Sequence, residues 1–122
     1  MQAVFLAVLL LATTALAEDE PLLARIVDST SERVPLHTIA PGYPRKARRD
    51  RIEGEVQVCF DIDRKGRTRR IAVRRSTNRL FERPSIRAVR ASTFRALEDH
   101  QELPAIKSCR TFVFALQPVT QD

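Results

Sequence analysis

The clearest alternation of apolar and polar residues lies in the middle of the chain, over residues 55–62. Its apolar positions are Val56, Val58, Phe60 and Ile62. Because successive side chains of a strand point to opposite faces, this period of two predicts a half-buried β-strand. Residues 64–67 follow as a turn in which Gly66 can adopt a positive φ, and a second strand is predicted for residues 68–76. The two strands form a hairpin.

Two helices are predicted on either side of this hairpin. Pro44 suits the first turn of a short helix over residues 45–51, whose Ala47 points inward. A longer helix is predicted from residue 81 or 82 to residue 95, with Pro84 in its first turn. The apolar face of this longer helix consists of Ile86, Val89 and Phe94.

The two ends of the chain differ in how clearly they are patterned. Residues 107–116 alternate again and predict a last strand, with Phe112 and Phe114 on one face and Cys109 on the other. Residues 18–39 have no clean period and contain two prolines. We predict an extended lead-in there, with one helical turn near residues 22–27.

The order of these elements predicts an α+β fold. A strand, a crossover helix and a further strand normally leave the two strands parallel, so the last strand is antiparallel to the first. The result is a three-stranded antiparallel sheet of order 2-1-3, with the short and the longer helix packed on one face. Cys59 and Cys109 then lie on neighbouring strands and on the helix-free face. The last strand is an edge, and exposed edges can accept an added strand.

The first residues of the chain predict export. Residues 3–16 are apolar except for two threonines, and Ala15-Leu16-Ala17 precedes an acidic run, as at a signal-peptide cleavage site. As a helix, residues 3–16 would span about 21 Å, which is short of the ~30 Å hydrocarbon core of a bilayer. We therefore predict a secretion signal over residues 1–17 and a periplasmic protein. The alternative is a retained anchor that holds the domain at the periplasmic side of the inner membrane.

Charge and cysteine content narrow the classes of partner. The formal net charge is +6, but an exported protein rarely meets nucleic acid, so no nucleic-acid partner is expected. The basic residues either form a solvated surface or face anionic lipid, acidic polysaccharide or an acidic protein. Membrane contact is expected only if residues 1–17 are retained. Two cysteines in an oxidising compartment predict one disulfide, between Cys59 and Cys109.

The sequence contains no motif that predicts catalysis. Phosphate-binding loops, nucleophile elbows and metal-ligand spacings are missing, and His37 and His100 stand apart from both cysteines. We therefore predict a non-enzymatic protein with no cofactor, no catalytic residue and no metal site.

Several short segments resemble the C-terminal domain of TonB in their order and spacing. They are Tyr43-Pro44, Ala47, the run 51–56, the run 60–62, Gly66-Arg67, Ile71, Val73, Ser76 and the run 81–83. The resemblance implies a TonB-like domain over residues 40–118, followed by a short tail at 119–122. In that family the domain is periplasmic and captures the extended TonB box of outer-membrane receptors by adding it as a strand to the sheet edge.

The resemblance implies two groups of partner-binding residues. The family's Gln-Pro-x-Tyr-Pro segment falls on residues 40–44, where alanine replaces the glutamine, and makes Pro41, Tyr43 and Pro44 candidates. For Tyr43 the other interpretation is that its ring staples the short helix to the sheet. The second group lies on the last strand and consists of Arg110, Thr111, Phe112, Val113, Phe114, Ala115 and Leu116.

The leading hypothesis is a periplasmic module that captures a TonB-box-like segment of an outer-membrane transporter by strand addition and so takes part in TonB-dependent transport. One alternative is a membrane-anchored energy-transducing subunit. Another is a self-associating structural module, in which the edge strand pairs with a second copy and forms a homodimer.

Overall fold

The computed structural model describes residues 23–116. The elements in chain order are β1 (Leu23–Thr30), β2 (Pro35–His37), α1 (Arg45–Arg49), β3 (Gly54–Ile62), β4 (Thr68–Ser76), α2 (Glu82–Ala91), β5 (Thr93–Phe94) and β6 (Ser108–Ala115). One 3-10 turn, Arg79–Phe81, leads into α2. The predicted signal at 1–17 and tail at 119–122 lie outside the described residues, so both stay predictions.

The hairpin of β3 and β4 confirms the strongest sequence pattern. Both strands have nearly the predicted bounds and pair antiparallel. In the turn between them Gly66 has a φ of 92°, and the carboxylate of Asp63 accepts hydrogen bonds from the backbone N–H groups of Lys65 and Arg67. These two bonds, together with the guanidinium of Arg69 at 3.0 Å, lower the pKa of Asp63 despite its partial desolvation.

The main sheet has four strands, not three, in the order β1-β6-β3-β4. The additional strand is β1, which pairs antiparallel with β6 from Leu23↔Ala115 to Thr30↔Cys109. The helical turn predicted near residues 22–27 is therefore wrong, and so is the prediction that the last strand is an exposed edge. Sequence periodicity missed β1 because Ala24 and Ile26 are the two β1 residues identified as packing against the core, which is too short a pattern to stand out.

The longer helix ends four residues earlier than predicted. Its last residue is Ala91, because Ser92 adopts an extended conformation with φ −83° and ψ 148°. The N–H of Phe94 then donates to the carbonyl of Gly66 at 2.8 Å, which draws the chain back to the hairpin turn. As a result Thr93 and Phe94 form β5, which pairs with β2 in a separate two-stranded sheet.

The core lies between the main sheet and the helices. Its fully buried aromatic side chains are Phe60, Phe81, Phe112 and Phe114, and the aliphatic side chains around them include Val56, Val58 and Val89. The Phe81 and Phe114 rings stack at 4.3 Å between centroids. The predicted disulfide is confirmed: Cys59 and Cys109 are bonded and sit directly opposite each other on β3 and β6.

Candidate functional site

The backbone of β6 has two differently occupied sides. The N–H of Cys109 donates to the Thr30 hydroxyl on β1 at 3.2 Å, so this residue faces β1. Backbone groups alternate between neighbours along an antiparallel strand, which turns Thr111, Val113 and Ala115 toward β1 as well, and Phe112 toward β3. Every predicted β6 site residue is thus in an interior strand, and their role in partner binding stays a prediction.

The side chains of β1 make few buried contacts with β6 and the core. Ala24 and Ile26 are half-buried, opposite Phe114 and Phe112, and the remaining side chains from Arg25 to Thr30 are exposed. Val27, for example, is 48% exposed. The pairing is also irregular, with a register shift between Ile26 and Asp28. Little apolar surface is therefore buried when β1 joins the sheet.

The chain directly after β1 is held much more firmly. Arg33 is only 7% exposed, and its guanidinium donates to the carbonyl oxygens of Ile62, Asp63 and Arg95 at 3.0–3.1 Å. The next carbonyl, that of Val34, accepts a hydrogen bond from the N–H of Arg95. Desolvation is the main influence on the pKa of Arg33 and lowers it. The weakly held strand β1 therefore ends just before a firmly anchored segment that begins at Arg33 and leads into β2.

The core side of β6 carries a buried cation. Arg110 is 3% exposed, and its guanidinium carbon lies 5.1 Å from the Phe94 ring centroid and 5.9 Å from that of Phe60. These distances allow cation–π attraction. Its Nη1 atom is buried with no hydrogen-bond partner among residues 23–116, and desolvation lowers the pKa of the group. A buried cation without a carboxylate partner is destabilising for the fold.

The proline-rich segment forms one wall of a second surface, a groove of about 570 Å³ between residues 39–44 and α2. Tyr43 is half-buried and packs against the core beside this groove. Its hydroxyl donates to the carbonyl of Ile52 at 2.7 Å, and its ring meets Phe81 and Phe114 edge-on at 5.6 Å. Burial raises its pKa, with a further contribution from Glu53. These contacts join the chain on the two sides of α1 to each other and hold the ring against Phe114 of β6, which agrees with a packing role for Tyr43.

The rim of this groove is basic. Arg87 and Arg90 of α2 both line it, are exposed, and make no salt bridge within the described part of the chain. Of the two prolines that line it, Pro41 is buried and Pro44 is half-buried, and Gly42 between them opens onto free space. The structure thus brings Pro41, Tyr43 and Pro44 together at one groove, on a different part of the domain from the β1 side of β6.

β4 and β1 are the two outer strands of the main sheet, and the side of β4 away from β3 is unpaired among the described residues. β4 carries arginines at four positions, 69, 70, 74 and 75. Arg70 has a positive φ of 51°, and the pairing of β4 with β3 shifts register twice. Positive charge and bulges are the usual protection of an edge against added strands.

Between residues 23 and 116 no group of three or more metal-ligating side chains comes together. The same residues contain no helix that is long and apolar enough to cross a membrane.

Sequence reasoning missed three parts of this region: β1 itself, the anchor at Arg33, and the arginine rim on α2. For β1 the only signal was the alternation of Ala24 and Ile26, which is too short to predict a strand. No sequence signal indicated that Arg33 would bind three carbonyl groups, since these come from distant parts of the chain.

The structure is that of a small disulfide-bonded α+β domain with an antiparallel sheet and two helices. The family model for the C-terminal domain of the Gram-negative bacterial TonB protein matches residues 39–116, and the chain belongs to this family. The family is a periplasmic, non-enzymatic domain of energy transduction that interacts with outer-membrane receptors.

The fold agrees with this assignment. The solution NMR structure of the Pseudomonas aeruginosa TonB C-terminal domain is similar, with 30% sequence identity and a TM-score of 0.61. The match covers 75% of this chain and 93% of that one. No curated protein matched the chain.

Proposed function

We propose that this protein is a binding domain for TonB-dependent transport, and that it captures an extended segment of an outer-membrane receptor as a strand beside β6. The observation that carries the proposal is the presence of β1 at this place: the β6 edge already holds one extended segment of low burial. The same interaction would be available to a segment of another protein.

The side-chain environment favours the position beside β6, where β1 now lies, over the free edge of β4. A strand beside β6 lies next to Phe112 and Phe114, and the half-burial of Ile26 and Ala24 indicates the contact that a ligand's apolar side chains would gain. Burying one such side chain completely contributes about 1.5–3 kcal/mol, in addition to the backbone hydrogen bonds. By contrast, the outer edge of β4 is bulged and lined by arginines.

The groove between residues 39–44 and α2 is a second contact surface in this proposal. The exposed guanidinium groups of Arg87 and Arg90, which make no salt bridge within residues 23–116, suit acidic residues that flank the captured strand. Tyr43 acts there mainly through the fold, because its hydroxyl is engaged by Ile52. Pro44, which is half-buried at the groove, is the member of the segment placed to contact the receptor, whereas Pro41 is buried and would have to be uncovered first.

The test is an NMR titration of the ¹⁵N-labelled protein with synthetic TonB-box peptides, with scrambled peptides as the control. Strand addition predicts large shifts at the amides of Thr111, Val113 and Ala115. Only every second amide of an added strand faces β6. N-methylation of those peptide amides should therefore abolish binding, whereas methylation of the intervening amides should be tolerated. Shifts confined to β4, or no shift on β6, would contradict the proposal.

A further inference from the structure

We propose that β1 is a built-in competitor for the β6 edge, which must leave the sheet before a partner segment can pair there. This inference rests on the proposed function and names the regulation of the same site. β1 and a partner strand cannot both be present, because β1 pairs with all of β6 except its first residue, from Ala115 to Cys109.

The structure contains a point about which β1 could open. Ser31 and Glu32 are exposed and the chain bends at Glu32 and Arg33, while Arg33 itself is fixed by three carbonyl groups. Opening at residues 31 and 32 would free β1 and leave the chain from Arg33 onward in place. The hydrogen bond between the Thr30 hydroxyl and the Cys109 amide is the β1 contact nearest this point.

The other side of β6 is secured against the same movement. β6 pairs with β3 without a register shift from Phe114 to Ser108, and the Cys59–Cys109 disulfide joins the two strands covalently. Its core-facing side chains Phe112 and Phe114 are fully buried. Release of β1 would therefore expose a ready-made edge and would not unfold the sheet.

The apparent association constant for a partner is the intrinsic constant multiplied by the fraction of molecules in which β1 is open, so a mostly closed β1 weakens binding. Ile26 and Val27 provide a matched pair of variants for measuring this effect. Ile26 packs against the core, whereas its neighbour Val27 is 48% exposed. Ile26→Asp places a carboxylate against apolar side chains when β1 is closed, and Val27→Asp adds the same charge in water.

The first measurement uses no ligand. Amide hydrogen exchange in the full chain of each variant reports whether β1 is open. Ile26→Asp is expected to speed exchange at Thr111, Val113 and Ala115 and to leave Arg110, Phe112 and Phe114 protected by β3, so that β6 contains its own control. Val27→Asp is expected to behave as the unmodified protein does. Unchanged exchange in Ile26→Asp would overturn the inference that β1 is held by this contact.

The second measurement is calorimetric titration of the same variants with a TonB-box peptide. The inference predicts that Ile26→Asp binds at least about tenfold more tightly than the unmodified protein, with Val27→Asp unchanged. Equal affinity in an opened Ile26→Asp variant and the unmodified protein would overturn the competitor role while leaving the proposed function standing. Absence of binding to the opened variant would instead contradict the proposed function.

A third outcome concerns a second copy of the chain. If β1 of one molecule paired with β6 of another, sedimentation would show a concentration-dependent dimer in the unmodified protein and loss of that dimer in Ile26→Asp. That result would overturn the intramolecular competitor and replace it with strand exchange between copies.

Discussion

Replacing both cysteines with alanine should lower the stability of the domain substantially. Cys59 and Cys109 are 50 residues apart in sequence, so the disulfide removes much of the loop-closure entropy of the unfolded chain. In the chain-entropy model this crosslink contributes about 4 kcal/mol. For a domain of this size, that free energy corresponds to a fall in Tm of roughly 15–30 °C.

Thermal unfolding followed by circular dichroism measures the effect. The loss of two sulfur atoms also changes packing, and Cys59 is buried, so the alanine variant alone does not isolate the crosslink. Reductant supplies the control: it should lower the Tm of the unmodified protein by a similar amount and should not change the Tm of the double variant. A fall of less than about 5 °C in both experiments would refute the entropic argument.

The disulfide also affects the proposed release of β1 from β6, which amide hydrogen exchange can follow. Because it ties β6 to β3, the reduced protein should lose the difference between the two sides of β6, and exchange should rise at Phe112 as well as at Val113. Selective opening on the β1 side is expected only while the bond is intact.

Three further changes test individual parts of the account. Gly66→Ala should destabilise the fold by more than about 1 kcal/mol, since a Cβ at this left-handed φ would collide with the Phe94 carbonyl. An unchanged midpoint of urea unfolding would contradict that geometry. Tyr43→Phe should lower the free energy of unfolding by about 1 kcal/mol, because the hydrogen bond to the Ile52 carbonyl is lost, and should leave peptide affinity unaltered. Weaker peptide binding at equal stability would show that the hydroxyl contacts the peptide directly. Arg110→Met should leave the free energy of unfolding unchanged or raise it by about 1 kcal/mol, because the cost of burying the unpaired guanidinium offsets its attraction to the phenylalanine rings. A fall of more than about 2 kcal/mol in that free energy would reverse this conclusion.

The sequence predicted the parts of the fold whose side chains are buried in a regular pattern. The four inward residues of β3 and the glycine of the following turn determine the hairpin almost completely, and the alternation around Phe112 determines β6. The pairing of Cys59 with Cys109 followed from these strands, since it depends only on register and face.

The parts that the sequence did not predict depend on contacts between distant residues. β1 buries too few side chains to produce a clear period, and backbone pairing with β6 holds it in place. Helix α2 ends early because the amide of Phe94 binds Gly66, which no local pattern reveals. Arg33 resembles any other arginine in the sequence, although its burial fixes the lead-in against the hairpin.

The most direct test of the central claim is an isotope-filtered NOE experiment on the protein in complex with a TonB-box peptide. We expect backbone contacts between the peptide and Thr111, Val113 and Ala115, together with the loss of the contacts that join Ile26 to Phe112 in the free protein. Peptide contacts on β4 with the pairing of β1 and β6 intact would contradict the account.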